Sequence, residues 1–438
     1  MAVRLRKLPP TIFQRFFRTE TAGGSVLLLF GIAALALANS PLAAAYADIW
    51  RTRLAVGLAD YSLSLTLHQW INDGLMAVFF LLVGLEIKRE LVVGELASVR
   101  KAALPIACAI GGMIVPAALY WTFNPIGFGA RGWGIPIATD IAFALGALAL
   151  IAPGAPTGAR VFLTALAIVD DVGAVLVIAT FYSQTIAWGA LGVAGLLVLV
   201  SFGFNAIGVR RLWPYLLVGM ALWYFVHQSG VHATVAGVAL AFTIPTRTRT
   251  NAAQFSREAR SLLDRFDQTE SGDFIVLTSK GQHEALVALE YATEGVTAPI
   301  LRLEHTLHKF SAFVVMPLFA FANAGVNLAL PIQHAEIAIG VLAGLVLGKP
   351  LGIMAAALLA VKSGVAKLPH AVGWTSLLGC ACLAGIGFTM SLFIAMLAFD
   401  ETAPVNAAAK SGILAGSLLA GITGAIVLRV AAGLRNDE

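Results

Sequence analysis

Two adjacent carboxylates, Asp170 and Asp171, stand inside a run that is otherwise uncharged and mostly apolar from Val161 to Ala179. A carboxylate at the centre of a membrane helix costs at least ~3 kcal/mol, and two cost more. No Lys or Arg lies within a helical turn of them. Neighbouring helical residues point about 100° apart, so the two groups cannot face each other, and each needs a partner from another helix. Deprotonated, such a pair is a hard oxygen site for a small monovalent cation. Protonated, it has no charge with which to hold one, so proton and cation compete for the same oxygens.

Other charged positions could complete this chemistry. Asp140 lies in Gly134-Ile-Pro-Ile-Ala-Thr-Asp-Ile-Ala-Phe143, where Pro136 removes a helix hydrogen bond and predicts a break around Thr139 and Asp140. Gly385-Ile-Gly-Phe-Thr389 predicts a second break, in the eleventh apolar segment. Paired interruptions of this kind point to a transporter site, and Asp140 there would offset the positive end of a half-helix. Lys349 is the only cation deep within the apolar spans, Lys410 standing near the outer end of the last, which makes Lys349 the expected partner of one central aspartate; a purely structural ion pair would also place it there. His232, a candidate for a pH response, falls near the outer end of a span, where a hydrogen-bonded structural histidine is the commoner case. Glu304, His305 and His308 precede the ninth span and could titrate near neutrality. Glu86, Arg89 and Glu90 close the second span and read equally well as ordinary snorkelling charges.

These residues must be held by membrane helices. The chain has 438 residues, 59% of them hydrophobic and 12% charged, with a mean hydropathy of +0.85. That is about half the charge of a soluble domain. About twelve apolar stretches are visible, near 22–38, 70–87, 102–123, 133–152, 161–181, 186–205, 212–226, 230–244, 311–329, 335–360, 372–399 and 405–428. Alternating them from a cytoplasmic N-terminus leaves only Arg51, Arg53, Arg131 and Lys410 outside and Lys349 within a helix, while the other 24 of 29 Lys and Arg fall inside. The asymmetry predicts a multi-pass membrane protein of twelve spans with both termini cytoplasmic. A pI near 9.2 is then loop charge on the inner face, not a nucleic-acid footprint. Residues 1–20 form a basic tail, and the first apolar run, longer than a signal-peptide core, is expected to be retained. Cys108, Cys380 and Cys382 read as buried small hydrophobes, and no cofactor is implied.

Two stretches fall outside this pattern. Tyr61–Leu67 alternates polar and apolar residues and could pair with Arg53–Leu58 across an Ala-Asp turn as an extramembrane β-hairpin; an interfacial loop is the alternative. Residues 246–300 separate the membrane region 21–245 from 301–438. Phe255, Ala259, Leu262, Leu263 and Phe266 there share one helical face. Asp273–Ser279 is apolar but too short to span, and Ser279-Lys-Gly-Gln282 resembles a capping box opening a helix through Tyr291. A folded cytoplasmic insert is expected.

A site that proton and cation occupy in turn, open to one side at a time, performs antiport. Sodium-coupled symport of a small solute is the alternative, although these spans offer few polar groups for a solute. An intramembrane aspartyl protease is a remote third: Asp140 and Asp171 could meet across a water, but neither lies in a Gly-x-Gly-Asp setting and Lys349 opposes a shared-proton dyad. Five stretches carry a more specific likeness. WINDGLMAVFFLLVGLE over 70–86, Ala138-Thr-Asp-Ile-Ala-Phe143, Ile168-Val-Asp-Asp-Val-Gly173, Val346-Leu-Gly-Lys-Pro-Leu-Gly352 and Gly385-Ile-Gly-Phe-Thr-Met-Ser391 closely resemble NhaA-type sodium/proton antiporters, in that family's order. The likeness covers roughly 15–245 and 300–432. It implies an all-α polytopic fold of twelve helices with an inverted repeat, in which spans 4 and 11 are broken and cross. It further implies that Asp171 is the main Na+ or Li+ ligand, with Asp170 beside it and paired to Lys349, while Thr139 and Asp140 support the site. Glu86, Arg89, Glu90, Glu304, His305 and His308 fall where the family places its pH-response cluster, and the hairpin within 50–67 where it places a homodimer contact. The resemblance also implies an electrogenic exchange of internal Na+ for external H+. The 250–299 segment is longer than the family pattern implies, and transport is expected without it.

Overall fold

The structure, a computed structural model, describes residues 12–58, 61–152, 155–183, 185–248, 250–268, 280–327, 333–369, 372–399 and 404–436. Helical segments occur at all twelve apolar stretches, and they form a polytopic bundle with a small antiparallel β-hairpin. Their surfaces carry apolar side chains where a soluble protein would carry charge: Leu199, Leu359 and Leu418 are 66%, 71% and 65% exposed. Such faces are stable only against hydrocarbon.

Five spans are long, apolar and nearly continuous: Val99–Phe123, Thr157–Phe181, Trp188–Ala206, Ala335–Lys362 and Pro404–Ala431. Two are broken. Span 4 consists of Phe128–Ile137 and Ile141–Ile151, bent by 46°, and span 11 of Trp374–Ala384 and Phe388–Ala398, bent by 43°. The first helix runs over Ile12–Ala38, so it begins earlier than its apolar run and takes in residues 12–20 of the expected tail. Span 2 passes through a π-helical turn, Trp70–Leu75, before Met76–Val93. Span 9 does the same at Ser311–Val315, between Pro299–Phe310 and Met316–Asn323. Span 8 is helical only over Thr234–Thr243. Ten residues rise about 15 Å, half of a hydrocarbon core, so this helix begins near mid-membrane.

Spans 3 and 10 lie unusually close. A Cβ on Gly348 would stand 2.7 Å from the Pro116 Cα, which only glycine avoids. The π-turn Gly344–Gly348 ends there, and Lys349 follows with its side chain fully buried. The hairpin pairs Arg53–Leu58 with Tyr61–Thr66 in a register from Arg53↔Thr66 to Leu58↔Tyr61; its Ala-Asp turn lies outside the described residues. Trp70 Nε1 donates to the Leu54 carbonyl at 3.0 Å and ties the hairpin to span 2.

Between spans 8 and 9 the chain forms two helices, Ala252–Gln268 and Lys280–Val296, packed on each other. The second continues past Tyr291 to Val296, with Gly295 in its last turn, because no proline intervenes before the Thr-Ala-Pro at 297–299. Asp273–Ser279, and with it the proposed Ser279 cap, lies outside the described residues. The Thr250 N–H donates to the Gly295 carbonyl at 3.1 Å and closes the unit on itself, while Arg302 reaches Glu294 at 3.3 Å and docks it on the start of span 9. Below, the face carrying this unit and the chain ends is called the terminal face, and the other the hairpin face.

Candidate functional site

Each break leaves backbone groups that the helix itself cannot satisfy. The two breaks meet, and each supplies what the other lacks. The Asp140 N–H donates to the Ile386 carbonyl at 2.7 Å. Asp140 Oδ1 accepts from the Phe143 N–H at 3.0 Å, capping the second half of span 4. Its Oδ2 accepts from the Thr389 N–H at 3.1 Å and from the Thr389 hydroxyl, at the start of the second half of span 11. One carboxylate therefore sits between two positive helix ends. The break of span 11 also lies tight against span 10, which needs glycine: a Cβ on Gly385 would lie 2.4 Å from the Leu345 carbonyl oxygen.

The opposite ends receive donors. Lys349 Nζ donates to the Ile137 carbonyl, the last of the first half of span 4. The same Nζ lies 2.7 Å from Asp170 Oδ2, and both side chains are fully buried. The Thr139 hydroxyl is within donating distance of Asp170 Oδ2, 2.7 Å, and of the Ala384 carbonyl, 2.9 Å, which ends the first half of span 11. Asp170 is thus held by Lys349 and Thr139, with its Oδ1 unbonded.

Asp171 is placed differently. It is 1% exposed, no ion pair links it to Lys349, and its Oδ1 has no hydrogen-bond partner among the described residues. It lines a cavity of about 50 Å³ together with Asp140, and the walls are largely apolar: Phe79, Leu82 and Val83 of span 2, Met316 of span 9 and Met390 of span 11. Glu86, His308 and Ser311 line the same cavity toward the terminal face. On the hairpin side the path is plugged. Phe393, fully buried, packs against Phe80 at 5.5 Å, Phe319 at 6.1 Å and the His232 ring at 5.2 Å between centroids. Beyond this plug lies a vestibule of about 690 Å³ lined by Asp73, Arg131, His227 and His232, opened by the short helix of span 8. The carboxylates face the terminal side.

The remaining sequence candidates fall into two groups. Arg89 Nη1 donates to Glu304 Oε1 at 2.6 Å and Nη2 to Glu90 Oε1 at 3.0 Å, while His308 Nδ1 stands 3.9 Å from Glu86 Oε1. This network joins the ends of spans 2 and 9 outside the apolar core. Burial pushes the Glu304 carboxyl up, against the Arg89 guanidinium, which pulls it down. His305 is exposed and is not brought into the network. His232 belongs to the hairpin side, with Nε2 3.6 Å from Asp73 Oδ1 and Nδ1 2.8 Å from the Thr234 hydroxyl.

Sequence reasoning passed over Thr389 as a site residue, though it directly follows the Gly-Ile-Gly break; a hydroxyl just after a helix break is the signal. It also passed over Asp73, which stands between Asn72 and Gly74 in the quoted span-2 stretch, and Ser311.

Ion-pairing residues gathered where two broken helices cross at mid-membrane define a secondary transporter. A family profile described as Na+/H+ antiporter 1 matches residues 14–428. The chain is similar to the Na(+)/H(+) antiporter NhaA of Oleidesulfovibrio alaskensis, 47% identical over 97% of this chain and 95% of that one. It is 46% identical to Na(+)/H(+) antiporter NhaA 1 of Saccharophagus degradans over 97% and 92% of the two chains. For the Koribacter versatilis NhaA the identity is 47% over 97% and 93%. The chain belongs to the Na+/H+ antiporter 1 family.

Proposed function

We propose that this Na+/H+ exchanger works by competition of cation and protons for Asp171, with Asp170 beside it and Asp140, Thr139 and Lys349 holding the crossing. Supporting this reading is one observation above the others: a buried carboxylate oxygen with no bond of its own, at the end of a cavity reached from one face. The cavity volume of about 50 Å³ suits a cation and little else, since pockets for small organic molecules run to about 300 Å³ or more. That disfavours symport of a solute. The basic excess of the terminal face supports a cytoplasmic orientation for both chain ends in an inner membrane, so that the cavity takes Na+ or Li+ from inside; an epitope at either end should then be reached only from the cytoplasm.

The test is a proton gradient imposed on everted vesicles and followed with a ΔpH dye. NaCl and LiCl should collapse it, and KCl should leave it standing. No response to any of the three at any pH would remove the proposal.

The Arg89–Glu304–Glu90 network and the Glu86–His308 pair support a pH response. Because burial raises Glu304, its pair with Arg89 is lost as pH falls through that raised value and is present above it. Glu304→Gln, which cannot titrate, should flatten or displace the pH profile of exchange; a superimposable profile would remove Glu304 from the response. The 246–300 unit is docked through few contacts, and deletion of 250–297 should keep basal exchange. Loss of exchange in a deletion that still melts cooperatively would make the unit part of the mechanism. Leu54 and Val56 stand 49% and 55% exposed on the hairpin and suit a homodimer contact; the detergent-solubilised mass with and without residues 53–66 reads that contact directly.

A further inference from the structure

Serine and threonine inside helices usually return the hydroxyl to the carbonyl four residues back. This protein follows that habit at Thr164 with Arg160, at Thr180 with Leu176 and at Ser411 with Ala407, at 3.0, 2.7 and 2.9 Å. Ser311 does not. It is 4% exposed, its hydroxyl makes no hydrogen bond to any described residue, and it lines the Asp171 cavity beside Glu86. The π-turn Ser311–Val315 begins at this residue. A π-turn widens the helix and turns its side chains out of α-helical register, which is how such turns come to serve sites. The hydroxyl keeps accessible surface on the cavity, so its oxygen is open to an entering ion.

We infer that Ser311 Oγ is a further cation ligand: a neutral oxygen which, with the Glu86 carboxylate, holds Na+ or Li+ at the mouth of the cavity before Asp171 takes it. The inference rests on the reading of Asp171 as the exchanging ligand. A cation entering a cavity of about 50 Å³ must shed most of its water, and protein oxygens must replace that shell. Along this wall Glu86 supplies charge, and Ser311 supplies the only uncharged side-chain oxygen among the described lining residues. His308 on the same wall offers a nitrogen, which a hard monovalent cation does not select.

The test is exchange in proteoliposomes by Ser311→Ala and Ser311→Val, with Ser311→Thr as the conservative variant. Loss of one neutral ligand should raise the apparent KM for Na+ and Li+ about fivefold in the first two. The maximal rate should stay within about twofold of the parent, and Thr should restore the KM. At saturating Na+ the pH profile should not move, whereas a merely structural role through the neighbouring His308 would move it. A parental KM in both Ala and Val variants, or a KM rise matched by a displaced pH profile, would overturn the inference. If Asp171→Asn is inactive while the Ser311 variants keep the parental KM, only this inference fails; if Asp171→Asn keeps exchanging, the reading beneath it fails too.

Discussion

Asp171→Asn protein should insert, melt like the parent, and leave a proton gradient untouched by Na+ or Li+. Asn is nearly isosteric with Asp, and Asp171 Oδ1 has no hydrogen bond to lose, so the fold gives up little. The cation loses its charge partner. A unit charge about 4 Å away at an effective dielectric near 20 is worth ~4 kcal/mol. That corresponds to about a thousandfold in cation affinity. Asn also cannot titrate, so the proton half of the cycle disappears with the cation half. The measurement is the ΔpH-dye assay across several pH values, run beside a melting curve. Appreciable turnover in a well-folded variant would place the exchanging ligand elsewhere.

Lys349→Ala acts first on stability. It leaves Asp170 fully buried with only the Thr139 hydroxyl, and strips the donor from the Ile137 carbonyl at the broken end of span 4. Removing one partner of a buried pair costs about 3–5 kcal/mol, a large fraction of the 5–15 kcal/mol typical of a folded domain. A clear fall in melting temperature is expected. Asp170→Asn in the same chain should recover much of it, because the uncompensated charge is then gone. A melting curve and pH profile both unchanged in Lys349→Ala would contradict the pairing.

The centre of this site was legible because membrane depth makes charge conspicuous. Asp170, Asp171 and Lys349 stand out against apolar neighbours, and Pro136 and the Gly385–Gly387 pair announce the breaks that let Asp140 and Thr389 meet. The hairpin could be read from period-two alternation, since Leu65 turns inward and is 7% exposed. What could not be read depends on contacts without a local signature. Ser311 is one hydroxyl in an apolar run, and its significance lies in a bond that it does not make. The plug at Phe393 gathers aromatic rings from four spans, and its phenylalanines each read alone as ordinary core, so that nothing links them to His232 in the sequence. The length of span 8 was hidden too, because its apolar stretch begins at 230 while the helix starts only at Thr234.

The polar contacts of the crossing also have an order in time. Asp140 is joined to Thr389 across 249 residues of chain. At about 5–20 residues per second of synthesis, that is roughly ten to fifty seconds. For the larger part of that interval, between the making of Asp171 and that of Lys349, the three carboxylates Asp140, Asp170 and Asp171 are already in place while Lys349 and the second half of span 11 are not. The amino-terminal half must therefore wait in the bilayer with its carboxylates protonated or reached by water, and the last stretch of translation completes the charge balance of the first.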